Sequence, residues 1–501
     1  MHRIGLVAVL FVLAGSDAGA QDLMGDWVAP QLDWAGCDTT VSHGVSDMEC
    51  ASLTVPVDWG RPSGPSIELQ LARVRARHPL QGEGLVLALS GGPGGSGIDD
   101  LPYVADALPE VLDHFDLLGH EPRTALALRT FPDACMRMSG AVPDLPEDSA
   151  NYERILAPLR DAVERCRRAV ENGLVDHLDG RAQALDVEAI RRAVGVERLN
   201  LTAQSYGGVV VAAYARMFPD RIRTAYVDGV ISHPDLPHVR GPETQEGEFR
   251  RFAAWCEASR ECALFGEDVV DVWVRLTEKA NRSPIPGHSE RFGDQRLSGA
   301  QLQFLTRRWR DPGADHAGWV QLSRDIDRAR RGDASPFVDW ALGNLMAWAT
   351  PINVAMQCPD GAEGTGGYRE FRTRMKRYRE ERPLFYGVKL LGMICGAWPI
   401  PLANPPAPLP GRRLPPFLGA GTVANDLAGT AQFLEHIPGS VVISVSGSGH
   451  VVYLGGASDS AQACVSRHLT RYLMDLTLPP PGTRCGTEAS PEHGSSGRGA
   501  H

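Results

Sequence analysis

Long apolar runs are scarce in this sequence of 501 residues: beyond the N-terminal stretch Ile4 to Ala14, none approaches the ~18 apolar residues that a membrane span requires. A membrane is therefore not an expected partner. Metal-binding spacings are missing as well, since neither Cys-x-x-Cys nor His-Glu-x-x-His occurs. The Gly-Lys-Ser/Thr ending of a phosphate-binding P-loop is absent, and there is no internal repeat. Charge of one sign never accumulates: 50 basic residues face 61 acidic ones for a net charge of -11, in clusters no longer than Arg374 to Arg379. That distribution argues against nucleic acid or an anionic membrane surface. With 43% hydrophobic residues the chain can bury a large core, which excludes a disordered or fibrous protein.

At the N-terminus, Met1-His2-Arg3 precedes the short apolar run, and Ala18-Gly19-Ala20 precedes Gln21. One basic residue, a short apolar segment and a small-x-small site read as a signal peptide over residues 1–20. A secreted or periplasmic location follows. The ten cysteines fit that location, because an even number outside the cytosol points to disulfides. Pairing sequence neighbours joins Cys37 to Cys50, Cys135 to Cys166, Cys256 to Cys262, Cys358 to Cys395 and Cys464 to Cys485, one connectivity among many.

Alternating apolar and polar residues over Glu49 to Val57 and Ser66 to Arg75, around a Gly/Pro turn, predict an antiparallel hairpin. Gly84 to Leu89 is a continuous apolar run, the pattern of a strand buried on both faces, and Phe115 to Gly119 is a weaker one. Helical spacing covers Tyr152 to Asn172 and Ala182 to Val194. A strand over Arg198 to Ala203, a helix over Gly207 to Met217 and a strand over Arg223 to Val230 follow. Such alternation predicts an α/β fold, a mostly parallel sheet flanked by helices. Residues 232–400 change character, with helical segments at Gln245 to Ala258, Ala317 to Arg331 and Phe337 to Trp348, and read as a large helical cap insertion. The core resumes over residues 401–485 with a Pro-rich linker, a strand at Ser440 to Val445 and a helix at Ala461 to Leu476; residues 486–501, small, polar and Gly/Ser-rich, read as a disordered tail.

Three elements carry chemistry. Asn200-Leu201-Thr202-Ala203-Gln204-Ser205-Tyr206-Gly207-Gly208 lies between a strand and a helix, where a sharp turn with small flanking residues lifts a serine hydroxyl above the sheet edge. Position 203 is Ala where the usual pattern has Gly, and the bland alternative is a polar turn starting the helix. Ser90-Gly91-Gly92-Pro93-Gly94-Gly95-Ser96-Gly97 follows a buried strand. Its backbone N–H groups, with Gly92 the expected donor, would join the N–H of Tyr206 in holding an oxyanion. Gly92, Gly94 and Gly97, with Glu121 after the next strand, also spell a dinucleotide fingerprint. Export, Pro93 inside the turn and the independent serine elbow favour the hydrolase reading. Third, Gly447-Ser448-Gly449 presents His450 just after the last strand, where this fold carries its general base.

With these elements in order, the chain resembles the secreted proline iminopeptidases and tripeptidyl aminopeptidases of the α/β-hydrolases, from about Asp33 to Cys485. Further matching segments are Glu49 to Pro56, Val227-Asp228-Gly229-Val230, Trp255-Cys256, Cys358-Pro359-Asp360 and Cys395-Gly396-Ala397-Trp398-Pro399. The resemblance implies an α/β-hydrolase fold with a helical cap and an exopeptidase acting near a free peptide N-terminus, or a related esterase or amidase. Its partner would be a peptide or small acyl substrate, and it would need no metal or organic cofactor. Glu243, Glu246 and Glu248 would be the acids for a substrate ammonium, or else a solvated helix face. Two departures stand out. Glu121-Pro122-Arg123-Thr124 replaces Asp-Pro-Arg-Gly, and the place of the triad acid falls on Thr422. Asp426, four residues on, is one substitute, unless it caps the helix beginning near Leu427 beside Asn425. Asp228 is another, and a catalytically weak binding protein with no acid is the third reading.

Overall fold

The computed structural model describes residues 24–38, 47–78, 84–137, 143–230, 242–304, 315–361, 366–423, 426–447, 449–453 and 457–486. The expected signal peptide, the expected tail beyond residue 486, the start of the expected cap and Ser448 lie outside these residues. So do Asn425 and the Glu243 side chain.

Among the described residues, a ten-stranded sheet runs in the order β1-β2-β3-β5-β4-β6-β7-β10-β11-β12. Its strands are β1 (Ala35–Gly36), β2 (Met48–Pro56), β3 (Ser66–Val74), β4 (Leu85–Leu89), β5 (Asp116–His120), β6 (Leu199–Gln204), β7 (Ile222–Asp228), β10 (Leu418–Thr422), β11 (Val441–Val445) and β12 (Arg484–Cys485). β1, β2 and β3 pair antiparallel in turn, and β3 is antiparallel to β5. All later pairings are parallel. The apolar run Leu85–Leu89 is buried at every residue, as a central strand covered on both faces requires. The expected hairpin is β2–β3, in register from Met48 opposite Val74 to Pro56 opposite Ser66.

Sequence periodicity passed over β10. Gly419 and Gly421 lie under the helix Leu427–Glu435, so this strand is built from small residues for close helix packing and lacks the β-branched signature.

Two apolar cores line the two faces of the sheet. One gathers Leu87, Leu201 and Val227 with the helices Gly180–Val194 and Gly207–Met217; the other gathers Val86, Tyr226 and Ile443 with the helices Gly97–Ala107 and Asp459–Asp475. A third core, around Trp273, Phe249, Phe337 and Phe385, belongs to the helical region. That region also holds an antiparallel pair not anticipated from sequence, β8 (Ile285–Ser289) with β9 (Gly293–Leu297). The helix Ser149–Ala169 joins the layers, with Tyr152 and Leu156 in the third core and Leu159 and Val163 in the first. Residues 349–358 belong by sequence to the expected cap, yet Ile352, Ala355 and Cys358 pack into the first core.

All five neighbour pairs of cysteines are disulfides. Beneath the sheet edge, Arg123 is fully buried and pairs with Asp186 through Nε to Oδ2 and Nη2 to Oδ1, both 2.7 Å. It also donates to the carbonyls of Val57 and His177, while Trp59 donates to Asp186. This fork ties the turn after β5 to β2 and to the helix Gly180–Val194.

Candidate active site

β6 ends at Gln204 and the next helix begins at Gly207, so Ser205 and Tyr206 must turn the chain within two residues. Ser205 does so at φ 51°, a left-handed conformation that strains a non-glycine residue by about 1–3 kcal/mol. The Ser205 N–H donates to the carbonyl of Asp228 at 3.1 Å, and its own carbonyl accepts from Gly208 N at 3.2 Å. Ala203 sits inside the strand, opposite Leu89 and Val227 and fully buried, so its methyl group is core packing and leaves the turn clear.

His450 stands over this turn. Its Nε2 lies 2.8 Å from Ser205 Oγ, and its Nδ1 lies 2.9 Å from Asp426 Oδ1. The imidazole is 32% exposed and the carboxylate 3% exposed, so the pair opens to solvent from the histidine side alone. Asp426 is the residue before the helix Leu427–Glu435, but its side chain makes no capping hydrogen bond. Its second oxygen instead accepts Val451 N at 2.7 Å. Val451 holds φ 53°, unfavourable for a β-branched residue, and this bond helps to keep it there. Gly229 provides the room: a Cβ at that position would lie 2.8 Å from Asp426 Oδ2.

The other two positions weighed for the acid have different work. Thr422 donates its hydroxyl to the Gly449 carbonyl at 2.6 Å, fixing the chain ahead of the histidine. Asp228 does not reach the imidazole. Its Oδ2 accepts Val452 N at 2.9 Å while its carbonyl holds Ser205 N, so this one residue spans the serine turn and the histidine loop. Burial, with Asp426 nearby, pushes the Asp228 carboxyl well above the usual range and favours its protonated form.

The glycine-rich loop after β4 runs against the serine. A Cβ at Gly91 would lie 2.6 Å from Ser205 Cβ and 3.3 Å from its Oγ, so Gly91 is what permits the approach. Sequence reasoning singled out Gly92 and missed its neighbour. Tyr206, at the N-terminus of the helix Gly207–Met217, sends its ring inward, where its hydroxyl donates to Asp360 Oδ2 at 2.5 Å.

Glu121, the acid of the alternative fingerprint, is buried and paired with Arg129. Glu246 and Glu248 are buried too, the first accepting Leu384 N at 3.0 Å and the second paired with Arg251. They form no solvated face, and both carboxylates are engaged within the protein. Among the described residues, one cluster has metal-ligand spacing, Cys464, His468 and Cys485, and its two sulfurs are bonded to each other.

The strand order, the serine turn and the adjoining histidine define a serine hydrolase of the α/β-hydrolase fold. Residues 179–313 match the family described as alpha/beta hydrolase fold, and residues 383–485 match the family described as TAP-like protein. These matches and the relatives named below support an α/β-hydrolase of the serine-peptidase kind. It is 26% identical to serine protease Hip1 of Mycobacterium tuberculosis, over 96% of this chain and 95% of that one. It is 23% identical to tripeptidyl aminopeptidase of Streptomyces lividans, over 92% and 87%. Carboxylesterase B of Mycobacterium tuberculosis is 26% identical, over 91% and 90%. The five disulfides fit an extracytoplasmic protein, and among the described residues no helix is long and apolar enough to cross a membrane.

Proposed function

We propose that this chain is a serine peptidase that cleaves peptide bonds near a free N-terminus, with Ser205 as nucleophile, His450 as general base and Asp426 as the acid that orients it. The continuous line of contacts from Asp426 Oδ1 through His450 to Ser205 Oγ, at 2.9 and 2.8 Å, carries the reading. Ser205 Oγ attacks the scissile carbonyl as His450 Nε2 takes its proton. Backbone N–H groups of Gly92 and Tyr206 hold the oxyanion, an assignment supported by the glycine loop lying against Ser205 and by Tyr206 opening a helix. His450 then protonates the leaving amine, and water releases the acyl group. The expected cap, residues 232–400 less the segment 349–358 that packs into the first core, covers this site, and residues 1–20 direct export to a secreted or periplasmic location.

A second reading, an esterase or amidase indifferent to the substrate's amine, is favoured by one observation: Glu246 and Glu248 are both engaged within the protein. Turnover of free and N-acetylated tripeptide p-nitroanilides separates the two. The peptidase reading expects acetylation to abolish turnover, and equal rates on both substrates would overturn it. Fluorophosphonate labelling lost in Ser205→Ala is the accompanying check, and labelling retained in that variant would exclude Ser205.

A further inference from the structure

The segment Cys358-Pro359-Asp360 is distant in sequence from Ser205 yet ends directly behind it. Asp360 is fully buried, and the disulfide from Cys358 to Cys395 anchors its segment to the first core. Its Oδ1 accepts Gly180 N at 2.8 Å, at the N-terminus of the helix Gly180–Val194, and Asn404 Nδ2 at 2.7 Å. Oδ2 accepts the Tyr206 hydroxyl at 2.5 Å. Asn404 is held in turn by Arg216 Nη2 at 2.9 Å, and Arg216 belongs to the same helix that Tyr206 opens. The charged and titratable groups facing Asp360 are thus Asp179, at the start of the helix Gly180–Val194, and Tyr206 and Arg216, at the two ends of the helix Gly207–Met217.

From this arrangement we infer that Asp360 is a positioning residue for the oxyanion hole, acting through the side chain of Tyr206 on that residue's backbone N–H. The inference rests on the proposed role of Ser205. A buried ring whose hydroxyl is fixed at its far end cannot tilt without breaking a charge-assisted bond, so the backbone of Tyr206 is held from below as well as by its helix. Pre-set donors are what make an oxyanion hole effective, because the transition state then pays no reorganisation. Tyr206 has one hydroxyl proton and two acceptors in reach, Asp360 Oδ2 and, at 3.1 Å, the carbonyl of Met356. When Asp360 is protonated, Oδ2 is the oxygen left to carry the proton, since Oδ1 already accepts two bonds; the Tyr206 proton then turns to Met356. Burial and the nearby Asp179 push this carboxyl up to about 7, so both arrangements fall within the working range of an enzyme at neutral pH.

The test compares Asp360→Asn, Tyr206→Phe and the double variant in the full-length secreted enzyme. Turnover of a tripeptide p-nitroanilide is counted per site labelled by a fluorophosphonate, so unfolded protein does not enter. Removing an oxyanion donor outright costs about 10²–10³ in kcat, so loosening one is expected to cost roughly tenfold, with KM changed less than about twofold. A peptide boronate should lose affinity in step with kcat. The double variant should be no worse than the poorer single, because both remove the same contact. If Asp360→Asn yields no labelled enzyme, Tyr206→Phe, which deletes one oxygen, carries the comparison alone. Wild-type kcat in the labelled variants, a raised KM at unchanged kcat, or multiplying losses in the double variant would each overturn the inference. Wild-type enzyme that fails to label at Ser205 would overturn the nucleophile assignment instead.

Discussion

Replacing Asp426 with Asn removes the acid and keeps its shape. The asparagine has one oxygen, and two N–H groups now compete for it: His450 Nδ1, 2.9 Å from the carboxylate, and Val451 N, at 2.7 Å. Val451 sits at φ 53° and needs its bond to stay there, so the oxygen goes to Val451 and the new NH₂ faces Nδ1. Nδ1 must then accept, which moves the imidazole proton to Nε2, where it points at Ser205 and cannot remove a proton. The expected loss is roughly 10⁴ in kcat, or about 5 kcal/mol of transition-state stabilisation, with KM little changed. Asp228→Asn is the internal comparison: its native carboxyl favours the protonated form, and an amide oxygen can still accept Val452 N. That variant should keep kcat within a fewfold of wild type. Steady-state kinetics on a tripeptide p-nitroanilide, normalised by fluorophosphonate labelling, measures both. Near-wild-type turnover in Asp426→Asn, or equal losses at the two positions, would refute the reasoning.

Gly91→Ala should lower turnover by about 10² with the fold intact, because its methyl would meet Ser205 Cβ at 2.6 Å and displace the Ser205 hydroxyl; labelling rate and circular dichroism report the two parts. Arg123→Ala should cost about 3–5 kcal/mol in urea denaturation, since it strands the Asp186 carboxyl in the core. Burial lowers the His120 pKa to about 4. Its unfolded value is near 6.5, so its contribution is full above that pH and is lost as pH falls toward 4, about 3 kcal/mol in all. The urea midpoint of His120→Gln should therefore fall less between pH 7 and pH 4.5 than that of wild type.

Much of the fold was legible because it is locally encoded. Leu85 to Leu89 reads as a doubly covered strand, and the strand, serine and helix at Leu199–Met217 announce their turn within twenty residues. The cysteine pairs followed from proximity in sequence, with separations of 6 to 37 residues. β10 escaped because its small residues answer to a helix packed on it, and the hairpin β8–β9 escaped because exposed polar positions in Gly287–Gln295 mask its pattern.

The partner of His450 could not be read that way. Asp228 ends one parallel strand and Asp426 follows another, and each could serve by sequence spacing. Their distinction lies in where the chain after β10 passes, over a glycine at 229 that admits one carboxylate while Asp228 turns to Val452 N. Glu246 and Asp360 carry the same lesson: one looks surface-bound on its helix and the other is matched in Cys358-Pro359-Asp360 with no role given to it, yet both are buried against distant partners. Backbone path is set by neighbouring residues through sterics and apolar periodicity. Which carboxylate meets which donor is set by sheet order and side-chain packing across hundreds of residues, and only the folded chain holds that information.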